Sequence, residues 1–181
     1  MPVMPRESRD WTVEDLEQLP DDGLQYELVD GVLLVSPAPV VKHQIAVGEI
    51  YALLRAAGPE HLLALFAPVD WQPDGRTSLQ PDVLVIRKEN LGARNVTGPL
   101  TLAVEVLSPS TRRKDLVLKR SKYEDAGVSS YWVVDPDEPS VQALDLVDGR
   151  FQVVGEAKGD DRLDLLRPFP VSLVPSALVN P

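Results

Sequence analysis

Apolar positions recur with different periods along the chain, and those periods divide it into elements. From Lys42 to Ala57 the residues His43, Val47, Ile50, Leu54 and Ala57 follow one another at spacings of 4, 3, 4 and 3, one face of a helix that Gly58-Pro59 ends. Upstream, Thr12 can cap a short helix through Leu19, with Asp15 in the first turn and Pro20 as its stop. Tyr26 to Val29 and Val32 to Val35 are β-prone and joined by Asp30-Gly31, which predicts a hairpin. Leu62 to Trp71 reads as a strand bent near Pro68, and Val83 to Ile86 as a short apolar strand after Pro81-Asp82. A loop to about Pro99 precedes Leu100 to Leu107, an almost continuously apolar strand that predicts cover on both faces. Ser108 to Thr111 breaks it and offers capping hydroxyls to a helix from about Lys114 to Ala126, closed by Gly127. Tyr131 to Val134 returns as a strand, Val141 to Leu146 and Phe151 to Val154 flank Asp148-Gly149 as a second hairpin, and the tail RPFPVSLVPSALV is expected to pack along the surface.

One residue breaks the apolar strand. Period-2 alternation puts Glu105 on the face of Ala103 and Leu107, so it is expected to be buried. A buried carboxylate must be protonated, paired or coordinating a cation, because an isolated charge there is expensive. Asp82 sits at the mouth of the preceding apolar strand, where an aspartate after proline also serves as an ordinary strand start. Together, 23 positions apart on successive strands, Asp82 and Glu105 could present two hard oxygen donors to Mg²⁺ or Mn²⁺. Asp115, Lys119 and Tyr123 fall at i, i+4 and i+8 on the following helix, so Lys119 either leans over the strand ends or forms a solvated pair. Glu27 is a third carboxylate of the site or an exposed strand residue. His43 is a core histidine or a hydrogen-bond partner of a ligand or a water.

Composition narrows the picture. The 181 residues suffice for one domain, read here as a flexible N-terminus over 1–10 and a single domain over 11–181. No cysteine is present, which excludes disulfides, zinc-thiolate sites and a thiol nucleophile and fits a reducing, cytoplasmic setting. The longest uninterrupted apolar run, Leu62 to Ala67, is far short of the roughly 20 residues of a membrane helix. The net charge of -10 repels polyanions, so any nucleic-acid contact needs a local patch. Residues 112 to 122 supply one candidate: Arg112, Arg113, Lys114, Lys119, Arg120 and Lys122 stand against Asp115 alone. Residues 10 to 30 hold eight acids and no base.

In order, TVEDLEQLP, YELVDGVLLVSP, HQIAVGEIYALL, QPDVLVI, LAVEVLSPSTRRKDLVLKRSKYEDAGVSSYWVVDP and FPVSLVPSAL resemble the PD-(D/E)XK nuclease superfamily, specifically its restriction endonuclease-like branch of bacterial proteins, the Uma-two family. The resemblance implies an α/β restriction endonuclease-like core, a central mixed sheet flanked by helices, to which the two hairpins would be added. Pro81-Asp82 matches the PD element and Glu105 the following acid, but Leu107 stands where the superfamily usually has lysine. Lys119 matches the branch's helix-borne lysine, while Glu27 and His43 match auxiliary positions, His43 being expected to position Glu27. The activity implied is metal-dependent phosphodiester hydrolysis, most simply a DNA endonuclease. Asp82 and Glu105 would hold Mg²⁺ or Mn²⁺, Lys119 would assist the attacking water, and Arg112, Arg113, Lys114, Arg120 and Lys122 would contact DNA. A homodimer would supply two centres for duplex cleavage. The competing reading is a noncatalytic module that keeps the fold and binds nucleic acid or protein.

Overall fold

The computed structural model describes residues 10–108 and 115–180. Two sheets and one long helix organise them. A six-stranded mixed sheet runs β10-β9-β8-β7-β6-β3, built from β3 (Leu62–Phe66), β6 (Val83–Arg87), β7 (Leu102–Val106), β8 (Ser130–Asp135), β9 (Ser140–Val147) and β10 (Arg150–Lys158). Only β7 and β8 are parallel, and the crossover between them carries a π-helical turn, Asp115–Lys119, continued by the α-helix α3 (Arg120–Asp125). A second sheet has the order β2-β1-β5-β4, with β1 (Gln25–Val29), β2 (Val32–Ser36), β4 (Trp71–Asp74) and β5 (Thr77–Leu79). The α/β class and the central mixed sheet are as expected.

Alternation along the central strands divides the core into two layers. Val83, Val85, Leu102, Val104 and Val106 face Ala46, Val47, Ile50 and Leu54 of helix α2 (Val41–Ala57). Leu84, Ile86, Ala103 and Leu107 face the opposite way, onto Tyr123 of α3 and onto Val29, Leu34, Trp71 and Leu79 of the second sheet. The continuous apolar runs of β6 and β7 therefore reflect strands covered on both sides.

Both Asp-Gly turns form as expected, with positive φ at Asp30 (48°) and Gly31 (87°) and at Asp148 (50°) and Gly149 (75°). Three expectations are corrected. The first helix, α1 (Val13–Leu16), stops short of Leu19: Thr12 and Asp15 form a reciprocal capping box, but no residue of the helix is buried, and a cap alone cannot offset helix nucleation. The stretch Leu62 to Trp71 is two strands in different sheets, because Pro68 offers no N–H to a ladder and the chain leaves the central sheet after Phe66. The tail is part of the core. Strands β11 (Leu163–Leu165) and β12 (Val171–Leu173) pair as a hairpin with alternating buried positions, and Phe169, Leu178 and Val179 join the α2 layer. Among the described residues no helix is long and apolar enough to cross a membrane.

Candidate active site

Antiparallel register brings the two acids together. β6 pairs with β7 through Val83↔Val104 and Leu84↔Ala103, so one step further Asp82 stands opposite Glu105. Alternation puts Glu105 on the face of Ala103, toward α3 and the second sheet, while Asp82, just before β6, lies at the strand ends within reach of His43 of α2. The Val106 N–H donates to Asp82 Oδ2 at 2.7 Å, fixing that carboxylate across the strand ends. Glu105 is 2% exposed, whereas the Asp82 side chain keeps 15% of its surface open to a cleft.

The burial of Glu105 is compensated from the helical crossover. Lys119 Nζ donates to Glu105 Oε2 at 3.0 Å and lies 2.9 Å from Glu27 Oε1. Glu27, on β1, accepts in addition the Gln80 N–H at 2.8 Å. Lys119 is 4% exposed, so its ammonium is shared by two carboxylates in a nearly dry environment where charge-assisted hydrogen bonds are strong. Of the open alternatives, Lys119 leans over the strand ends and Glu27 belongs to the cluster. His43 lies beside Asp82. Its Nε2 lies 3.3 Å from Asp82 Oδ2, because the first turn of α2 ends beside the mouth of β6.

Tyr123 completes the cluster, and sequence reasoning did not assign it a role. One helical turn beyond Lys119, its O–H donates to Glu105 Oε1 at 2.6 Å. Complete burial and then the neighbouring Glu105 charge push the phenol well above its ordinary value, so it stays a donor at any working pH. The signal available was the i, i+4 spacing from Lys119, which puts both groups on one helix face. Tyr123→Phe is expected to cost about 2 kcal/mol of unfolding free energy, the range for a hydrogen bond to a charged group. It is also expected to lower any Glu105-dependent activity roughly 10- to 100-fold, as loss of a ligand-orienting partner does. Urea titration and initial rates on the same preparations check both.

Two members of the basic stretch, Arg120 and Lys122, have partners within the fold. Arg112, Arg113 and Lys114 lie outside the described residues. Arg120 directs Nη2 toward the Phe151 carbonyl at 3.5 Å. Lys122 Nζ lies 2.6 Å from Asp30 Oδ1 and 2.9 Å from Asp74 Oδ2, which ties α3 to two turns of the second sheet. Burial opposes the charge on both Lys122 and Asp74, but their hydrogen bonds prevail: the Lys122 pKa rises above 10.5 and that of Asp74 falls below 3.8.

Stability inherits its pH dependence from those directions. The network contributes in full between 3.8 and 10.5, fades as pH falls below 3.8 through the depressed Asp74 value, and fades as pH rises above 10.5 through the raised Lys122 value. Both acids are about half exposed, so Lys122→Met is expected to cost only about 1 kcal/mol at pH 7. Unfolding of both proteins followed across pH should show that difference shrinking at either extreme.

Glu27, His43, Asp82, Glu105 and Lys119 form the floor of one cleft of about 470 Å³. At formal charge the floor carries three carboxylates against one ammonium, an excess that one divalent cation would balance. Among the described residues no group of three or more His, Asp or Glu side chains has metal-binding geometry. The donor set nevertheless fits Mg²⁺ or Mn²⁺, since Mg²⁺ usually takes one or two carboxylates and keeps several waters. Asp82 and Glu105 are the pair that could hold it.

Residues 13–178 match a protein family described as "Uma2: Putative restriction endonuclease". No curated protein matches the chain. Among solved structures, the crystal structure of a protein from Anabaena variabilis, described as a putative nuclease belonging to DUF820, is similar with a TM-score of 0.70 and 19% sequence identity. The similarity covers 94% of this chain and 98% of that one, and it bears on the fold.

Proposed function

The chain belongs to the Uma2 family, and from that premise we propose that it is a metal-dependent phosphodiester hydrolase, a DNA endonuclease. The observation that supports this most is the placement of Asp82, just before β6, and Glu105, on the neighbouring β7, in one cleft beside the Lys119 ammonium. Asp82 and Glu105 would hold Mg²⁺ or Mn²⁺. When bound, such an ion polarises a phosphoryl oxygen and makes water more acidic.

The chain's own groups have separate tasks in this reading. Lys119 offers positive charge to the phosphoryl oxygens as negative charge builds on them, an electrostatic role that is strongest where water is excluded. Glu27 and Glu105 hold that ammonium at the floor, and Tyr123 keeps Glu105 oriented. His43 and the Val106 N–H restrain Asp82. Lysine from a helix can replace lysine from the strand because an ammonium on a flexible stem reaches one point from different backbone origins. Each chain offers one such centre, so scission of both strands of a duplex implies a homodimer. The absence of cysteine fits a cytoplasmic setting for this activity.

Supercoiled plasmid incubated with the purified chain and Mn²⁺ is expected to be nicked or linearised, and EDTA is expected to stop the reaction. If plasmid, single-stranded DNA and RNA all survive in Mn²⁺, the noncatalytic binding module becomes the better account.

A further inference from the structure

The catalytic floor proposed above is recessed. Glu105, Glu27 and Lys119 are each at most 5% exposed. The cleft leading to them has a volume of about 470 Å³, within the roughly 300–1,000 Å³ of pockets that enclose a small-molecule ligand. That space suits one nucleotide. Among the described residues the rim also offers little of the positive charge on which duplex binding relies. Among the described residues lining the cleft, Lys119 is the one lysine or arginine, and two carboxylates already share it. One wall is instead an exposed apolar lip, Pro37, Ala38, Pro39 and Val40, where the chain leaves β2 and enters α2, and Ala67 and Pro68 also line the cleft.

We infer that the cleft takes an unpaired nucleotide: the substrate is single-stranded or locally unpaired DNA, and the base beside the scissile phosphate packs against the Pro37–Val40 lip. The inference rests on the hydrolase reading and names the substrate of that same site. A nucleotide that has left the stack can bring its phosphodiester down to recessed carboxylates and its base into the cleft together, and unpaired DNA does so without the cost of unstacking and unpairing. The extruded base then needs an apolar surface, which the lip supplies. The amides of Gln25, Gln44 and Gln80 line the same cleft and can meet polar base edges.

Val40 gives a test that spares the fold. It occupies the N-cap of α2 without a side-chain capping bond and is 60% exposed. Aspartate is among the best N-cap residues, so Val40→Asp should hold or improve stability while placing a carboxylate on the lip. Val41, 77% exposed and not part of the cleft lining, provides the matched control for long-range repulsion. Binding of fluorescein-labelled oligonucleotides to the full chain carrying Asp82→Asn, followed by anisotropy in Mn²⁺, should give a Kd at least about 10-fold lower for a single strand or a duplex with a central bubble than for a perfect duplex. Val40→Asp should weaken single-strand binding about 10-fold and Val41→Asp much less. Equal or tighter binding of perfect duplex overturns the inference, as does an equal effect of the two substitutions. Cleavage of the same oligonucleotides by the unsubstituted chain separates the two ideas: no cleavage of any of them, with the single-strand preference intact, sinks the hydrolase reading and leaves the binding preference standing.

Discussion

Asp82→Asn and Glu105→Gln are each expected to lower Mn²⁺-supported DNA cleavage by about 10³-fold or more, with little loss of fold. The size follows from the two acids acting as a unit: removing either donor removes the shared cation site, and groups that act together cost nearly as much singly as jointly. The isosteric replacements isolate that effect. Asn at position 82 still offers an oxygen to the Val106 N–H that now reaches Asp82 Oδ2. Gln at position 105 still offers an oxygen to the Tyr123 hydroxyl, and Lys119 keeps Glu27 as its counter-charge. The double variant should be scarcely slower than either single one. Initial rates with purified proteins, read beside their melting curves, decide the matter; a single variant that keeps wild-type activity would remove its carboxylate from the mechanism.

Lys119→Met is expected to have the largest effect on stability. It keeps most of the side-chain volume and deletes the ammonium that two buried carboxylates share, Glu27 at 2.9 Å and Glu105 at 3.0 Å. Breaking a buried pair by removing one partner costs about 3–5 kcal/mol, because the remaining charge is left uncompensated. Here two acids are left facing each other. Protonating either one relieves the strain, so the deficit should shrink as pH is lowered from 7 toward 5. Glu27→Gln in the Lys119→Met background should restore much of the lost stability, since a single acid then remains beside Tyr123. It should restore no activity, because the ammonium is still missing. Urea unfolding at the two pH values provides the measurement. Wild-type stability in Lys119→Met would mean that the ammonium is not what balances the acids.

The parts of the site legible in the sequence were those fixed by local periodicity. Glu105 is conspicuous because a charge interrupts a strand whose other residues are apolar, and alternation alone assigns its face. Asp82 at the mouth of the neighbouring strand acquires meaning through pairing, and the β6–β7 register places it opposite Glu105. Lys119 and Tyr123 share a face for the same kind of reason, four residues apart on a helical segment. What could not be read was set by contacts between distant segments. Periodicity left Glu27 open between the site and an exposed strand: it reaches the cleft because β1 and β2 are joined into a second sheet by β5 and β4, which are too short and polar to leave a periodic signal. The partner of His43 depends on where α2 begins in relation to β6. The cationic stretch around Lys122 looked available because counting charges along the chain cannot see Asp74 and Asp30, 48 and 92 positions away. The tail misled for a different reason: its prolines suggested a surface segment, whereas the short Leu163–Leu165 and Val171–Leu173 strands alternate well enough to close the core over α2.

The central claim is that Asp82 and Glu105 jointly hold one divalent cation. Calorimetric titration of Mn²⁺ into the intact chain, without DNA, tests it directly. Binding of one ion per chain, lost in both Asp82→Asn and Glu105→Gln while each variant keeps its cooperative unfolding, is the predicted result. Unchanged Mn²⁺ affinity in either folded variant, or no saturable binding by the wild-type chain, would contradict it.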